Sequence, residues 1–96
     1  RFGPSNPAPL SFPIPGWTLA ADVPAAVPGL LEVLDQLDGE VAAAGGRLYL
    51  AKDSRQLDSV FRKTYLLHLE EWKHIRECTY GKAVAASDLS GRVGLA

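Results

Sequence analysis

Methionine is absent from the 96-residue sequence, and cysteine occurs once, as Cys78. A single cysteine excludes an internal disulfide and a multi-cysteine metal site. The sequence opens on Arg1 where an intact reading frame would supply Met, so we expect a piece of a longer protein. No apolar run approaches the roughly 20 residues of a membrane-spanning helix, and no signal-peptide pattern opens the sequence.

An excess of charge of either sign is also missing, because 10 basic side chains face 11 acidic ones. This balance gives no electrostatic footprint for nucleic acid or for an anionic lipid surface. The contents of hydrophobic residues (47%) and charged residues (22%) are close to globular averages, which predicts one folded, partial domain over residues 1–96. The compartment stays open, with a cytoplasmic or membrane-associated location favoured over secretion.

Proline is concentrated at the start of the chain, where residues 1–16 hold five of the seven prolines. Proline donates no backbone hydrogen bond, so we predict an extended segment with turns. Leu10, Phe12 and Ile14 alternate with period two between the prolines, which predicts that one face of the segment packs on the domain. The alternatives are a solvated linker and a small binding module that uses a mobile proline-rich arm.

Two short segments have the period-two pattern of β-strands. Residues 17–23 place Thr18 and Ala20 on one face, and residues 47–51 place Tyr49 opposite their leucines. Two short strands do not form an independently stable sheet. The strands therefore need partners outside this sequence or in a second copy of the chain.

The clearest helical pattern covers residues 30–44, which Gly45-Gly46 should end. Its apolar positions recur at helical spacing; they are Leu30, Leu31, Leu34, Leu37, Val41 and Ala44. Acidic side chains fill the other side; they are Glu32, Asp35, Asp38 and Glu40. We therefore predict an amphipathic helix with its leucines inward and its acids in solvent.

Two further helices are predicted over residues 55–65 and 68–78, the second with Leu69, Trp72 and Ile75 inward. A short turn is expected at residues 87–89. Together with the two strands, these elements predict an α+β fold with two to three helices.

Lys52 directly follows the second predicted strand, and a cation at the end of a strand often reaches a ligand crevice in α/β proteins. The alternative is a solvated lysine in a turn. Tyr49 could likewise donate a hydrogen bond to a ligand or pack in a core.

A third candidate is the i, i+4 pair of His74 and Cys78, with Glu70 one turn earlier. Three such groups on one helix are a weak metal signal. We therefore interpret them as a half-exposed helix face and predict no metal site.

Residues 6–18, Asn-Pro-Ala-Pro-Leu-Ser-Phe-Pro-Ile-Pro-Gly-Trp-Thr, and residues 45–55, Gly-Gly-Arg-Leu-Tyr-Leu-Ala-Lys-Asp-Ser-Arg, carry a resemblance. They resemble the C-terminal part of FAD-linked oxidases of the vanillyl-alcohol-oxidase type, in particular oxidases of sugars and sugar lactones. The resemblance implies a fragment of the substrate domain together with the C-terminal segment that closes on the flavin.

The resemblance also implies roles for individual residues. Tyr49 matches a tyrosine that contacts the flavin. Lys52 matches a lysine beside the flavin ring and the substrate, where a cation stabilises negative charge as hydride arrives. Phe2, Thr18 and Ala20 match positions that line the substrate pocket. Thr18 stands where mycobacterial members carry Asn, and Ala20 where they carry Cys, which implies a pocket of different shape and one inert to cysteine-directed inhibitors.

In this family the FAD pyrophosphate lies in an N-terminal domain that these residues do not include. The expected partners are therefore that domain, FAD, and a sugar or sugar-lactone substrate. We expect the isolated chain neither to bind FAD tightly nor to turn over. A catalytically inactive truncated remnant or a self-associating structural domain is the alternative.

Overall fold

The computed structural model describes residues 1–52, 54–80 and 86–95, with Lys52 described through its backbone alone. Its elements in chain order are helix α1 (Leu30–Ala43), a 3-10 turn (Leu50–Lys52), helix α2 (Asp58–Tyr80) and helix α3 (Asp88–Arg92). Those described ranges contain no strand, and a single isolated antiparallel bridge joins Phe2 to Gly16. The fold is mostly helical, and the predicted α+β class with short strands is not confirmed.

Neither predicted strand forms. Residues 17–23 are exposed, to the point that Trp17 and Leu19 keep 84% and 91% of their surface. The second segment, residues 47–51, runs from irregular backbone into the 3-10 turn at Leu50. Alternating side chains favour a strand, but its backbone groups need a partner strand, and no described residue supplies one.

Helix α1 ends one residue before the predicted boundary, and its two glycines make the stop. Gly45 adopts a left-handed conformation, with φ at 76°, and donates to the carbonyl of Ala42 at 3.2 Å. Gly46 donates to the carbonyl of Val41 at 2.8 Å. These two bonds form a Schellman motif, in which the residues after the helix satisfy its last carbonyls.

The buried face of α1 differs from the prediction. Asp38, expected in solvent, is only 5% exposed and lies with Ala42 in the interior, while Leu31 and Leu37 are exposed. Asp38 is buried because Arg55, from the connection after the helix, pairs with its carboxylate. The predicted orientation of this helix was therefore wrong for these three positions.

Helix α2 is one continuous helix of 23 residues, where two helices were predicted. No Gly or Pro lies between Asp58 and Tyr80 to interrupt its backbone hydrogen bonds. Phe61, Tyr65 and Leu69 form its buried i, i+4, i+8 row. Ile75, predicted to point inward, is exposed, and none of the α2 side chains after Leu69 is buried.

The core is small and joins helix α2 to the C-terminal residues. Among the described residues, four buried side chains form it: Phe61, Tyr65, Leu69 and Val93. Leu10, Leu50, Leu89 and Leu95 pack against it. Helix α3 begins where the short turn was expected, and Ser87 and Ser90 cap it by reciprocal side-chain hydrogen bonds. Among the described residues, no helix is both long and apolar enough to span a bilayer.

Candidate functional site

Three aromatic rings form a row at the surface, which we call the aromatic row: Phe2, Phe12 and Tyr49. The ring centroids of Phe2 and Phe12 are 5.5 Å apart at an interplanar angle of 85°. Those of Phe12 and Tyr49 are 5.3 Å apart at 57°. Such tilted and edge-to-face pairs are the arrangement that aromatic quadrupoles favour. Tyr49 is 52% exposed, so its ring and hydroxyl remain accessible from outside.

The proline-rich segment closes on itself and so carries Phe2 and Phe12 to Tyr49. The backbone N–H of Phe2 donates to the carbonyl of Gly16 at 3.0 Å, which joins the two ends of the segment. Inside it, the Asn6 side chain accepts from the N–H of Ala8 at 3.0 Å and donates to the hydroxyl of Ser11 at 2.7 Å. An Asn side chain that bonds the backbone two residues on stabilises a turn. Leu10 packs on the core from the same segment.

Arg47 links this segment to helix α2. Its Nη1 donates to the carbonyl of Ser11 at 2.5 Å, and its guanidinium lies 4.9 Å from the ring centroid of Tyr65. Tyr65 is fully buried, and its hydroxyl has no hydrogen-bond partner in the part of the chain that the structure describes. Burial raises the pKa of Tyr65, and the positive charge of Arg47 partly opposes this rise.

Arg55 fixes the other end of the connection between α1 and α2. It binds Asp38 with two parallel contacts, Nη2 to Oδ1 at 2.9 Å and Nη1 to Oδ2 at 2.8 Å. Nη1 also contacts Oδ1 of Asp35 at 2.7 Å. The hydrogen bond to Asp38 is the main cause that raises the pKa of Arg55. Arg92 of α3 donates to the carbonyl of Gln56 at 2.6 Å, which ties the next residue to the third helix.

The structure separates the predicted site residues into two groups. Phe2 and Tyr49 meet through Phe12, a residue for which the sequence predicts only a packing position. The available signal was its place in the alternating pattern Leu10, Phe12 and Ile14, inside the matched stretch 6–18. Thr18 and Ala20 lie outside the aromatic row, in the exposed segment 17–23.

Lys52 closes the 3-10 turn that begins directly after Tyr49, and its side chain lies outside the described residues. The backbone therefore places Lys52 in the same connection as Tyr49. Its proposed contact with a flavin stays a prediction.

The His74 and Cys78 pair is exposed on α2, with Sγ and Nε2 3.7 Å apart. Glu70, the third group, forms an ion pair with Lys73 at 2.9 Å instead. Over residues 1–52, 54–80 and 86–95, no three His, Cys, Asp or Glu side chains are grouped to hold a metal ion.

No protein-family model matches the chain. The chain is 47% identical over 94 residues to decaprenylphosphoryl-β-D-ribose oxidase of Mycolicibacterium smegmatis, an alignment that covers 98% of this chain and 20% of that protein. The chain is similar to part of an oxidase. It is also 45% identical over 95 residues to an uncharacterized protein in the mprA 5′ region of Streptomyces coelicolor, covering 99% of this chain and 26% of that protein. The resemblance to an oxidase thus extends over nearly the whole chain, which spans about a quarter or less of the length of these curated relatives.

Proposed function

We propose that the chain is the C-terminal part of an FAD-dependent oxidoreductase that oxidises an alcohol of a sugar or sugar lactone by hydride transfer to flavin. The 47% identity to a decaprenylphosphoryl-β-D-ribose oxidase over 98% of the chain is the observation that supports it. The name of that relative favours a sugar substrate. A more distant resemblance to D-arabinono-1,4-lactone oxidase keeps the lactone as the second substrate class.

The aromatic row fits one side of a flavin site. A flavin ring is flat and largely apolar, with polar atoms at its edge, and ligand pockets combine apolar walls with a few placed polar groups. Tyr49 offers both, because half of its surface is exposed and its phenol can donate a hydrogen bond. Phe12 and Phe2 extend the same wall away from it. The pyrophosphate of FAD needs a further domain.

Each candidate residue has a defined role in this proposal. The bound flavin would supply the hydride acceptor. Lys52 would hold a positive charge near the ring and stabilise the negative charge that develops there, which makes it the catalytic candidate. Tyr49 would orient the ring. Phe2, Thr18 and Ala20 would shape the substrate pocket, with the hydroxyl of Thr18 available to a sugar hydroxyl.

The experiment that tests the proposal uses this chain together with the coding sequence that precedes it. We expect the longer protein to purify with bound flavin and to reduce it when a sugar alcohol is added. Lys52→Ala should lower kcat by about 100-fold, the usual cost of removing one electrostatic stabiliser. Lys63→Ala, at an exposed lysine of α2, is the matched control and should leave kcat unchanged. A longer protein without flavin, or equal kcat for the two variants, would contradict the proposal.

The isolated 96-residue chain should not bind FAD at micromolar concentration, because the aromatic row alone offers no pyrophosphate site. Flavin fluorescence during titration with the chain measures this directly. Sub-micromolar binding would show that the chain holds a complete flavin site by itself.

The second candidate is an inactive remnant or self-associating domain. Its support is the apolar surface that the fold leaves exposed; it includes Trp17, Leu19, Leu31, Val33, Leu37, Leu66 and Leu67. Exposed apolar patches often mark a protein interface. Sedimentation at several concentrations distinguishes the candidates, since concentration-dependent association of a longer protein that holds no flavin would favour the remnant.

A further inference from the structure

The connection between α1 and α2 carries both Tyr49 and Lys52, yet it contains almost no regular structure. Among the described residues between Ala43 and Asp58, the 3-10 turn Leu50–Lys52 is the one regular element. A segment without a continuous hydrogen-bond ladder is positioned by the side chains that fix its ends. Active sites need such fixing, because a misplacement of about 1 Å can cost about 100-fold in rate.

Asp38 fixes the C-terminal end of this connection. Its carboxylate is buried in the face of α1 and receives both Nη atoms of Arg55, at 2.9 and 2.8 Å. This paired geometry sets the orientation of the guanidinium as well as its distance. Arg55 is three residues after Lys52, so at most about 10 Å of backbone separates the two residues.

Asp35 is a natural comparison, because it binds the same guanidinium in a different way. Its Oδ1 makes one contact, at 2.7 Å, and its side chain is 54% exposed against 7% for Asp38. Exposed single contacts are screened by water and contribute little. Asp38 therefore constrains Arg55 more strongly than Asp35 does.

The other end of the connection is fixed independently. Arg47 contacts the carbonyl of Ser11 and the ring of Tyr65. Tyr49 and Lys52 thus lie between two arginines that are each held by side-chain contacts. Arg55 is held by Asp38, a residue of α1 that is not part of the aromatic row.

We infer that Asp38 is a positioning residue that acts through Arg55 to hold Tyr49 and Lys52 in place for the flavin. The inference rests on the proposed function. Asp38 would then affect the flavin site through Arg55, without touching the flavin itself.

The test compares Asp38→Asn with Asp35→Asn in the longer, flavin-containing protein. Asn keeps the shape of the side chain but removes the charge that orients Arg55. We expect Asp38→Asn to raise hydrogen exchange of the amides of residues 49–52 at least tenfold, to shift the visible flavin spectrum, and to lower kcat at least tenfold with little change in KM. Asp35→Asn should stay within twofold of the unmodified protein in all three measurements.

Arg55→Lys keeps the fold testable if Asp38→Asn does not fold, since lysine retains the charge but cannot make the two parallel bonds. It should reproduce the effects expected of Asp38→Asn. Wild-type exchange, spectrum and kcat in Arg55→Lys overturn the inference, as does equality of Asp38→Asn and Asp35→Asn. An unmodified longer protein that holds no flavin overturns the proposed function and this inference with it, and the missing flavin separates that outcome from the others.

Discussion

Phe61 is one of the two large aromatic residues at the centre of the core, and its loss should damage the fold severely. Its side chain is fully buried, and its ring centroid lies 5.1 Å from that of Tyr65 in the core of α2 and α3. Phe61→Ala removes the ring and leaves a cavity that the surrounding helices can fill only in part. Substitutions of this kind cost about 3 to 5 kcal/mol of unfolding free energy.

The size of the core decides what that cost means. Domains have unfolding free energies of about 5 to 15 kcal/mol, and small cores give values near the lower end. Four side chains of the described residues form the buried cluster of this chain. Phe61→Ala should therefore remove most of the stability of the chain, whereas Phe61→Leu, which keeps most of the apolar volume, should cost about 1.5 kcal/mol.

Urea unfolding followed by far-ultraviolet circular dichroism measures these differences. Leu67→Ala is the control on the same helix, because Leu67 is 86% exposed, and it should change the unfolding free energy by no more than about 0.5 kcal/mol. A cost for Leu67→Ala equal to that of Phe61→Ala would refute the assigned buried face of α2.

Three further substitutions, at Gly46, Gly39 and Tyr65, test local features of the fold. Gly46→Ala should lower the melting temperature and cost about 1 to 3 kcal/mol, because a Cβ at Gly46 would lie 2.8 Å from Cγ1 of Val41; Gly39→Ala, at an open position of α1, should instead stabilise by about 0.5 to 1 kcal/mol. The raised pKa of Tyr65 means that the folded chain keeps this phenol neutral while the unfolded chain ionises it near pH 10, so stability should fall as pH rises above 10. Tyr65→Phe should weaken this alkaline loss, measured as the unfolding midpoint against pH, and an unchanged profile would contradict the assignment.

Local signals were enough to predict where helix α1 begins and ends. The two glycines after α1 end it within one residue of the predicted boundary, because the Schellman bonds involve only neighbouring residues. The predicted division of α2 near residues 66 and 67 was wrong. Leu66 and Leu67 depart from the apolar spacing, but this spacing indicates which face of a helix is buried and not whether its backbone continues. In the absence of Gly or Pro the helix runs through them, and both leucines are exposed.

Longer-range pairs could not be predicted from the same patterns. Asp38 belongs to a series of acidic residues that by itself predicts a solvent-exposed face. Its burial is favourable because Arg55, 17 residues later, binds its carboxylate. A buried carboxylate without such a partner would be strongly destabilising. The orientation of α1 thus depends on Arg55, a residue outside α1. The periodicity of the helical residues therefore could not predict it.

The candidate site likewise has a part that rests on contacts within this chain and a part that does not. The chain builds the aromatic row from contacts within itself, since the closed proline-rich segment brings Phe2 and Phe12 to Tyr49. Thr18 and Ala20 belong to residues 17–23, whose period-two pattern places alternate side chains on opposite faces. The backbone of this segment still needs a hydrogen-bond partner from another strand. The pocket wall that we propose for Thr18 and Ala20 therefore requires a neighbouring strand. We accordingly expect Tyr49 to be preorganised in this chain, and the proposed substrate pocket to form only when residues 17–23 are paired.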